Sequence, residues 1–163
     1  MKIRRAVKKD IGRIDELLYQ VCMIHHNGRP DLFKAGTKKY NGRQLEDILN
    51  DDRTPVLAAV DDDDVMMGYA FCIFREVKDD NILHDNRSLY IDDLCVDERQ
   101  RGRGIGKALY RAAKELARES GCYNLTLNVW SCNPTALEFY RRCGFVPQKT
   151  VMEEILAEGN GRK

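Results

Sequence analysis

The chain has 163 residues, a length that suits one domain with one core. Hydrophobic content of 43% and charged content of 33% are ordinary for a globular protein. The 27 Lys and Arg against 26 Asp and Glu leave a net charge of +1, which gives no general reason to bind nucleic acid or an anionic membrane.

The basic start, Met1 to Asp10, has no apolar stretch after it, so it does not read as a secretory signal. No apolar run approaches the roughly 20 residues that span a bilayer. The expected location is cytoplasmic. Ile3 to Val7 can form a first strand. Ile11, Ile14, Leu17, Leu18 and Val21 then recur at helical spacing. Residues 27–42, rich in Gly, Lys and Asn, read as a loop or broken helix. Leu45, Ile48 and Leu49 mark a short second helix. Val56 to Val60 and Val65 to Val77 form a hairpin around Asp61-Asp-Asp-Asp64, a solvated turn whose spacing is too tight for a calcium loop.

Ser88 to Val96 is the next strand. A helix follows over Ile105 to Ser120, with Ile105, Leu109, Ala112, Ala113, Leu116 and Ala117 on one stripe and Gly121 at its end. Leu125 to Trp130 is a strong strand. Asn133-Pro134 supplies an N-cap and a proline at the first helical position, and Gly144 stops that helix. Val146 to Leu156 is apolar enough to serve as closing strand material. The expected organisation is one domain over 1–156 and a frayed tail over 157–163, with an α/β (α+β) fold.

The six cysteines form no CxxC pair and no zinc-like spacing with His, so no metal is expected. Cys22, Cys72, Cys95 and Cys143 lie in apolar segments and read as small buried hydrophobes.

The segment between the fourth strand and its helix carries the chemistry. Gly102, Gly104 and Gly106 alternate with Arg101, Arg103, Ile105 and Lys107. Glycines remove the Cβ atoms that would keep an anion from the backbone. The first turn of the following helix offers unpaired N–H groups and the positive end of its dipole. This arrangement is a phosphate cradle. It is neither a dinucleotide fingerprint nor a Walker loop, because the spacing is GxGxG and no GxxxxGK[ST] is present.

With these residues the chain resembles the GNAT superfamily of N-acetyltransferases. Arg101-Gly-Arg-Gly104-Ile-Gly106 matches the family's acetyl-CoA loop. Asn133-Pro-Thr-Ala136-Leu-Glu-Phe-Tyr140-Arg-Arg-Cys-Gly144-Phe145 looks like its second block. The resemblance implies a twisted mixed sheet flanked by helices. Its two central strands splay apart to form a cleft for acetyl-CoA. The free edge at Leu94, Cys95 and Val96 would pair with the pantetheine arm, and residues Arg101 to Lys107 would hold the pyrophosphate. Asn133 would bond the arm, cap its helix, or do both. Tyr140 matches the family's general acid.

Leu89-Tyr-Ile-Asp-Asp-Leu-Cys-Val96 looks like the strand of polyamine-type members, which implies Asp92 as general base. Strand alternation would put Asp92 and Asp93 on opposite faces, so at most one faces the acceptor; Asp93 is the alternative base, and ion pairs with nearby arginines are the other reading of these acids. His25 and His26 admit two readings, contact with the acceptor or ordinary loop histidines. The implied activity is transfer of an acetyl group from acetyl-CoA to a primary amine of a small molecule or peptide. A non-catalytic acyl-CoA-binding module on the same fold is the alternative. Dimers are common in the family, so the resemblance admits a homodimer and leaves the oligomeric state open.

Overall fold

Period-two alternation builds the centre of the molecule. In a computed structural model that describes residues 1–156, the strands are β1 (Lys2–Arg5), β2 (Val56–Val60), β3 (Met66–Val77), β4 (Asn86–Val96) and β5 (Asn124–Leu127). They lie side by side in that order. The first four pair antiparallel, and β5 joins β4 in parallel. A parallel neighbour needs a crossover, and helix α3 (Ile105–Glu119) supplies it. The other helices are α1 (Ile11–Gly28), α2 (Gly42–Leu49) and α4 (Pro134–Arg142). The result is the twisted mixed α/β sheet with flanking helices that the sequence led us to expect.

Each face of the sheet has its own core. Val56, Ala58 and Val60 of β2 face α1 and α2, where they meet Ile14, Leu17, Leu18, Leu45, Tyr69 and Phe71. Leu57 and Ala59 point the other way, onto Ile105, Leu109, Ala113 and Ala117 of α3. Small residues at Ala59, Ala70, Ala113 and Ala117 let the helix close on the strands at interior packing density.

One buried ion pair ties the first strand to the first helix. Arg4 donates to both carboxylate oxygens of Asp10, at 2.7 and 3.0 Å, and the Val7 amide donates to Asp10 at 2.8 Å. Asp10 is only 4% exposed. Burial alone would raise its pKa; the Arg4 hydrogen bonds outweigh that and hold it below the usual carboxylate range. Arg4→Met leaves a buried carboxylate unpaired. It is expected to cost about 3–5 kcal/mol, or about 10 °C in melting temperature. The pair's contribution is present above the unfolded pKa of about 4 and is lost as pH falls through the lower folded value. Melting curves of both proteins should therefore converge in acid.

Several elements differ from expectation. The first strand ends at Arg5 and β5 ends at Leu127, each shorter than its apolar run. The acidic turn is more than solvated: Asp64 pairs with Arg4 and Lys9, whose hydrogen bonds lower its pKa to about 2. Cys72 and Cys95 are buried, but Cys22 and Cys143 are only half-buried, so the four-cysteine core reduces to two. Residues 146–156 form no strand. A strand exists through its ladder, and this segment stays off the sheet: Phe145 is held against Tyr110 and Tyr140, and Glu153 by Arg29. The tail expected at 157–163 lies outside the described residues.

Candidate active site

The cleft begins where β4 and β5 stop pairing. Their parallel register covers Ser88 to Ile91 against Asn124 to Leu127 and goes no further. Beyond Ile91, β4 keeps only its β3 neighbour, through Asp93, Leu94, Cys95 and Val96. The edge that faces away from β3 is thus left without a strand along Leu94 to Val96, as expected.

The exit from β4 is fixed by a network around Asp97, which is 4% exposed. Its carboxylate accepts from the Arg99 amide at 2.9 Å and pairs with Arg13 of α1. Burial opposes ionisation, but the Arg99 amide and Arg13 together hold its pKa below the ordinary value. Gln20 of α1 donates to the Val96 carbonyl at 3.0 Å and accepts from the Glu98 amide at 3.1 Å. The strand end therefore cannot drift from α1.

The glycine loop follows. Gly102 and Gly104 have φ of +78° and +77°, which an L side chain rarely adopts, and a Cβ at either would meet nothing within 4 Å. That open space is where an anion can approach the backbone. The first bond of α3 runs from the Ala108 amide to the Gly104 carbonyl at 3.0 Å. The amides of Gly104, Ile105, Gly106 and Lys107 thus form the unpaired first turn. Arg101, Arg103 and Lys107 are exposed around it, while Ile105 is buried in the core beneath α3 and offers only its backbone to the loop. Gly106 differs from the other two: a Cβ there would sit at ordinary contact distance, 3.5 Å from the Phe139 ring and 3.7 Å from Val96, so this position is lined by protein rather than open.

Asn133 caps α4, accepting from the Ala136 amide at 3.1 Å, and Pro134 opens the helix. The cap leaves its amide nitrogen for another acceptor. Tyr140, two turns on, is wedged between the rings of Phe139 and Phe145 at 5.1 and 5.6 Å. Burial, helped by the charge of Asp93, pushes its phenol well above the ordinary range, and no hydrogen bond contributes. The hydroxyl stays protonated at neutral pH.

The two acids are not on opposite faces. Phe71 pairs with Asp93 but Cys72 pairs with Ile91, so Asp92 is the extra residue of a β-bulge. The bulge breaks alternation and turns both carboxylates to the α1–α2 side. Asp92 accepts from the Tyr40 hydroxyl at 2.6 Å and pairs with the Lys39 ammonium at 2.7 Å. Asp93 accepts from the Tyr69 hydroxyl at 2.8 Å. Tyr40 and Tyr69 both pack on Phe71, at 5.5 and 4.9 Å. Burial raises the Asp93 carboxyl to about 6 despite the Tyr69 hydrogen bond. The ion pair anticipated for one of the two thus falls on Asp92, and its partner is a lysine rather than an arginine.

Lys39, Tyr40, Tyr69 and Gln20 escaped sequence reasoning. Lys39 and Tyr40 come from the 27–42 loop, whose end is set by a capping box: Asn41 and Gln44 exchange side-chain to backbone bonds of 2.9 Å. No local pattern ties that loop to β4. The same loop builds a wall at the cleft mouth. His25 lies against Phe33 at 5.0 Å, and Phe33 meets Trp130 edge-on at 5.0 Å. Burial and Lys39 lower the His25 pKa, so it is neutral at neutral pH. His26 instead bonds the Phe33 carbonyl through Nδ1 at 2.7 Å and holds the loop. Among the described residues no group of three or more His, Cys, Asp and Glu is placed to hold a metal, and no helix is long and apolar enough to cross a membrane.

Known proteins share this fold. The sequence profile of the acetyltransferase (GNAT) family matches residues 21–145. The chain belongs to the GNAT family. It is 36% identical over 111 residues to streptothricin acetyltransferase of Streptomyces lavendulae, a match that covers 68% of this chain and 52% of the relative. The chain spans about half the length of the curated relatives it matches, or less. A variant of the BH1408 protein of Bacillus halodurans superposes with a TM-score of 0.91 at 28% identity, over 96% of this chain and 100% of that one. The aminoglycoside N-acetyltransferase AAC(6')-Iy, solved in complex with CoA, shares the fold at a TM-score of 0.69 and 19% identity, over 96% and 99% of the two chains.

Proposed function

We propose that this GNAT protein is an acetyl-CoA-dependent N-acetyltransferase that moves the acetyl group directly to a primary amine of a cationic small molecule or peptide. The observation that carries this reading is the cleft itself. One wall presents two carboxylates, the other an unengaged protonated tyrosine, and the glycine cradle lies at the end of the strand between them. An acyl-CoA fits these residues. The open cradle at Gly102 and Gly104 with its unpaired amides suits a pyrophosphate, and the unpaired edge at Leu94 to Val96 suits a peptide-like arm.

The residues divide the reaction. An amine of pKa about 10.4 is neutral in only roughly one molecule in 2,500 at pH 7, so a proton must be removed as the C–N bond forms. The Asp92–Lys39 ion pair supports a seat for an ammonium: the lysine of the protein's own loop pairs with that carboxylate, and a substrate ammonium would replace it. Asp93, with its carboxyl raised to about 6, is suited to take the proton near neutral pH. This reading gives Asp92 the charge that attracts the acceptor and gives the base to its neighbour. Backbone amides at the end of β4 are the donors for the developing oxyanion. Tyr140 donates a proton to the departing sulfur. The aromatic wall of Phe33 and Trp130 would border the acceptor's carbon skeleton.

An amine panel with acetyl-CoA and detection of released thiol tests the activity. Release that depends on a cationic amine is the expected result. Tight acetyl-CoA binding with no thiol release from any amine would leave only an acyl-CoA-binding module. Gly104→Ala tests the cradle by calorimetry with CoA. Its Cβ would enter the open space at positive φ, and CoA affinity should fall by about tenfold or more, the worth of one charge-assisted amide bond. Undiminished affinity in a folded variant would remove the cradle from the site.

A further inference from the structure

Two consecutive lysines of the loop before α2 take opposite directions. Lys38 donates to both carboxylate oxygens of Asp15 on α1, at 2.7 and 2.6 Å. Lys39 turns to β4 instead. Its Nζ lies 2.7 Å from the Asp92 carboxylate and 3.4 Å from the Asp92 carbonyl. The backbone on either side of it is held. Lys38 is tied to Asp15, the Tyr40 hydroxyl donates to Asp92 at 2.6 Å, and Asn41 and Gln44 close the capping box. The ammonium itself is not enclosed, since the Lys39 side chain is 44% exposed. A primary amine on a fixed base and a rotatable stem therefore stands in the cleft, beside the residue that precedes Asp93.

Reach favours this amine as well. On the reading above, the thioester lies along Leu94 to Val96. Leu94 is two residues beyond Asp92, or ~7 Å at the rise of a strand. The flexible four-carbon stem of a lysine covers such a distance by rotation alone. A group tethered in this way competes at an effective concentration on the order of millimolar or above. Proximity of this kind does not extend to Lys38, which faces α1.

We propose that Lys39 is a modification site: with acetyl-CoA bound and no free amine present, the protein acetylates the ε-amine of its own Lys39 within one chain. This inference rests on the acetyltransferase reading above. Nζ attacks the thioester carbonyl; a C–N bond forms and the C–S bond breaks. The ammonium gives up two protons in becoming the amide nitrogen. One is taken by Asp93 and passes to solvent. The other replaces the proton that Tyr140 gives to the departing sulfur, so CoA leaves as the thiol. Acetylation cancels the charge of Lys39, and the ion pair with Asp92 is lost while the Tyr40 hydrogen bond stays.

The test is mass spectrometry of the full chain incubated with acetyl-CoA and no added amine. One acetyl group per chain is expected, mapped to Lys39, at a rate independent of protein concentration. Excess CoA should suppress it by filling the same cleft. Lys39→Arg, which keeps a cation on Asp92 but offers no amine, should abolish it. Lys38, at 38% exposed, and Lys8, at 82%, report uncatalysed acetylation in the same sample. Label spread over Lys8, Lys38 and Lys39 alike would overturn the proposal. So would a rate that scales with protein concentration, or one that CoA leaves unchanged. The amine panel run alongside separates the two readings. Thiol release with a free amine and no acetyl on Lys39 overturns this inference and leaves the acetyltransferase reading standing. Acetyl on Lys39 with no free amine acetylated supports this inference and removes the free acceptor. Neither product overturns both.

Discussion

Asp93→Asn is expected to lower kcat/KM by roughly 10²–10⁴-fold at pH 8, the usual range for loss of a general base. In the wild type, kcat/KM should rise as pH passes about 6, where burial places the Asp93 carboxyl. In the variant that rise should disappear, leaving only the rise set by free amine at higher pH. Asp92→Asn should act differently. It removes the partner of Lys39 and the charge that seats the acceptor ammonium, so KM for the amine should rise about tenfold while the profile through pH 6 persists. Stability supplies an independent check. Asp93 titrates above its unfolded value, so its native-state advantage is full below about pH 4 and lost as pH rises through about 6. Above that, ionised Asp93 strains the fold by about 2–3 kcal/mol. Asp93→Asn should therefore melt higher than the wild type at pH 8 while being nearly inactive. An active Asp93→Asn enzyme beside a dead Asp92→Asn enzyme would return the base to Asp92.

These opposed effects rest on a feature that alternation could not reveal. Nothing in Leu89 to Val96 marks a bulge, because the extra residue is defined by what faces it on β3. The glycine loop, by contrast, was legible because its parts are local: glycines, cations and a helix start lie within seven residues, and glycine permits the positive φ found at Gly102 and Gly104. The cores were legible for the same reason, since periodicity reports burial directly. Lys39 and Tyr40 reach Asp92 across more than fifty positions, and Tyr69 reaches Asp93 across 24, by contacts that only the folded sheet creates. The segment 146–156 misled for a related reason. Its composition asks for a ladder, and composition cannot see the contacts of Phe145 with Tyr110 and Tyr140, and of Glu153 with Arg29, that hold the segment off the sheet.

Tyr140→Phe is expected to reduce kcat by about 10²-fold or more while acetyl-CoA affinity changes little. The ring is held by Phe139 and Phe145, and phenylalanine keeps those contacts. Only the hydroxyl is lost, and with it the proton for the leaving sulfur. The hydroxyl's raised pKa means that it arrives protonated at every working pH. A thiolate of ordinary pKa, about 8.5, leaves poorly at pH 7 without a donor and much better where its own ionisation is favoured. The deficit of Tyr140→Phe should therefore shrink as the leaving thiol is made more acidic, which a packing defect would not do. A thioester with a more acidic thiol should rescue turnover in the variant at pH 7. Near wild-type turnover in Tyr140→Phe would assign the proton to water or to the acceptor's own ammonium, and would leave Tyr140 as a packing residue of α4.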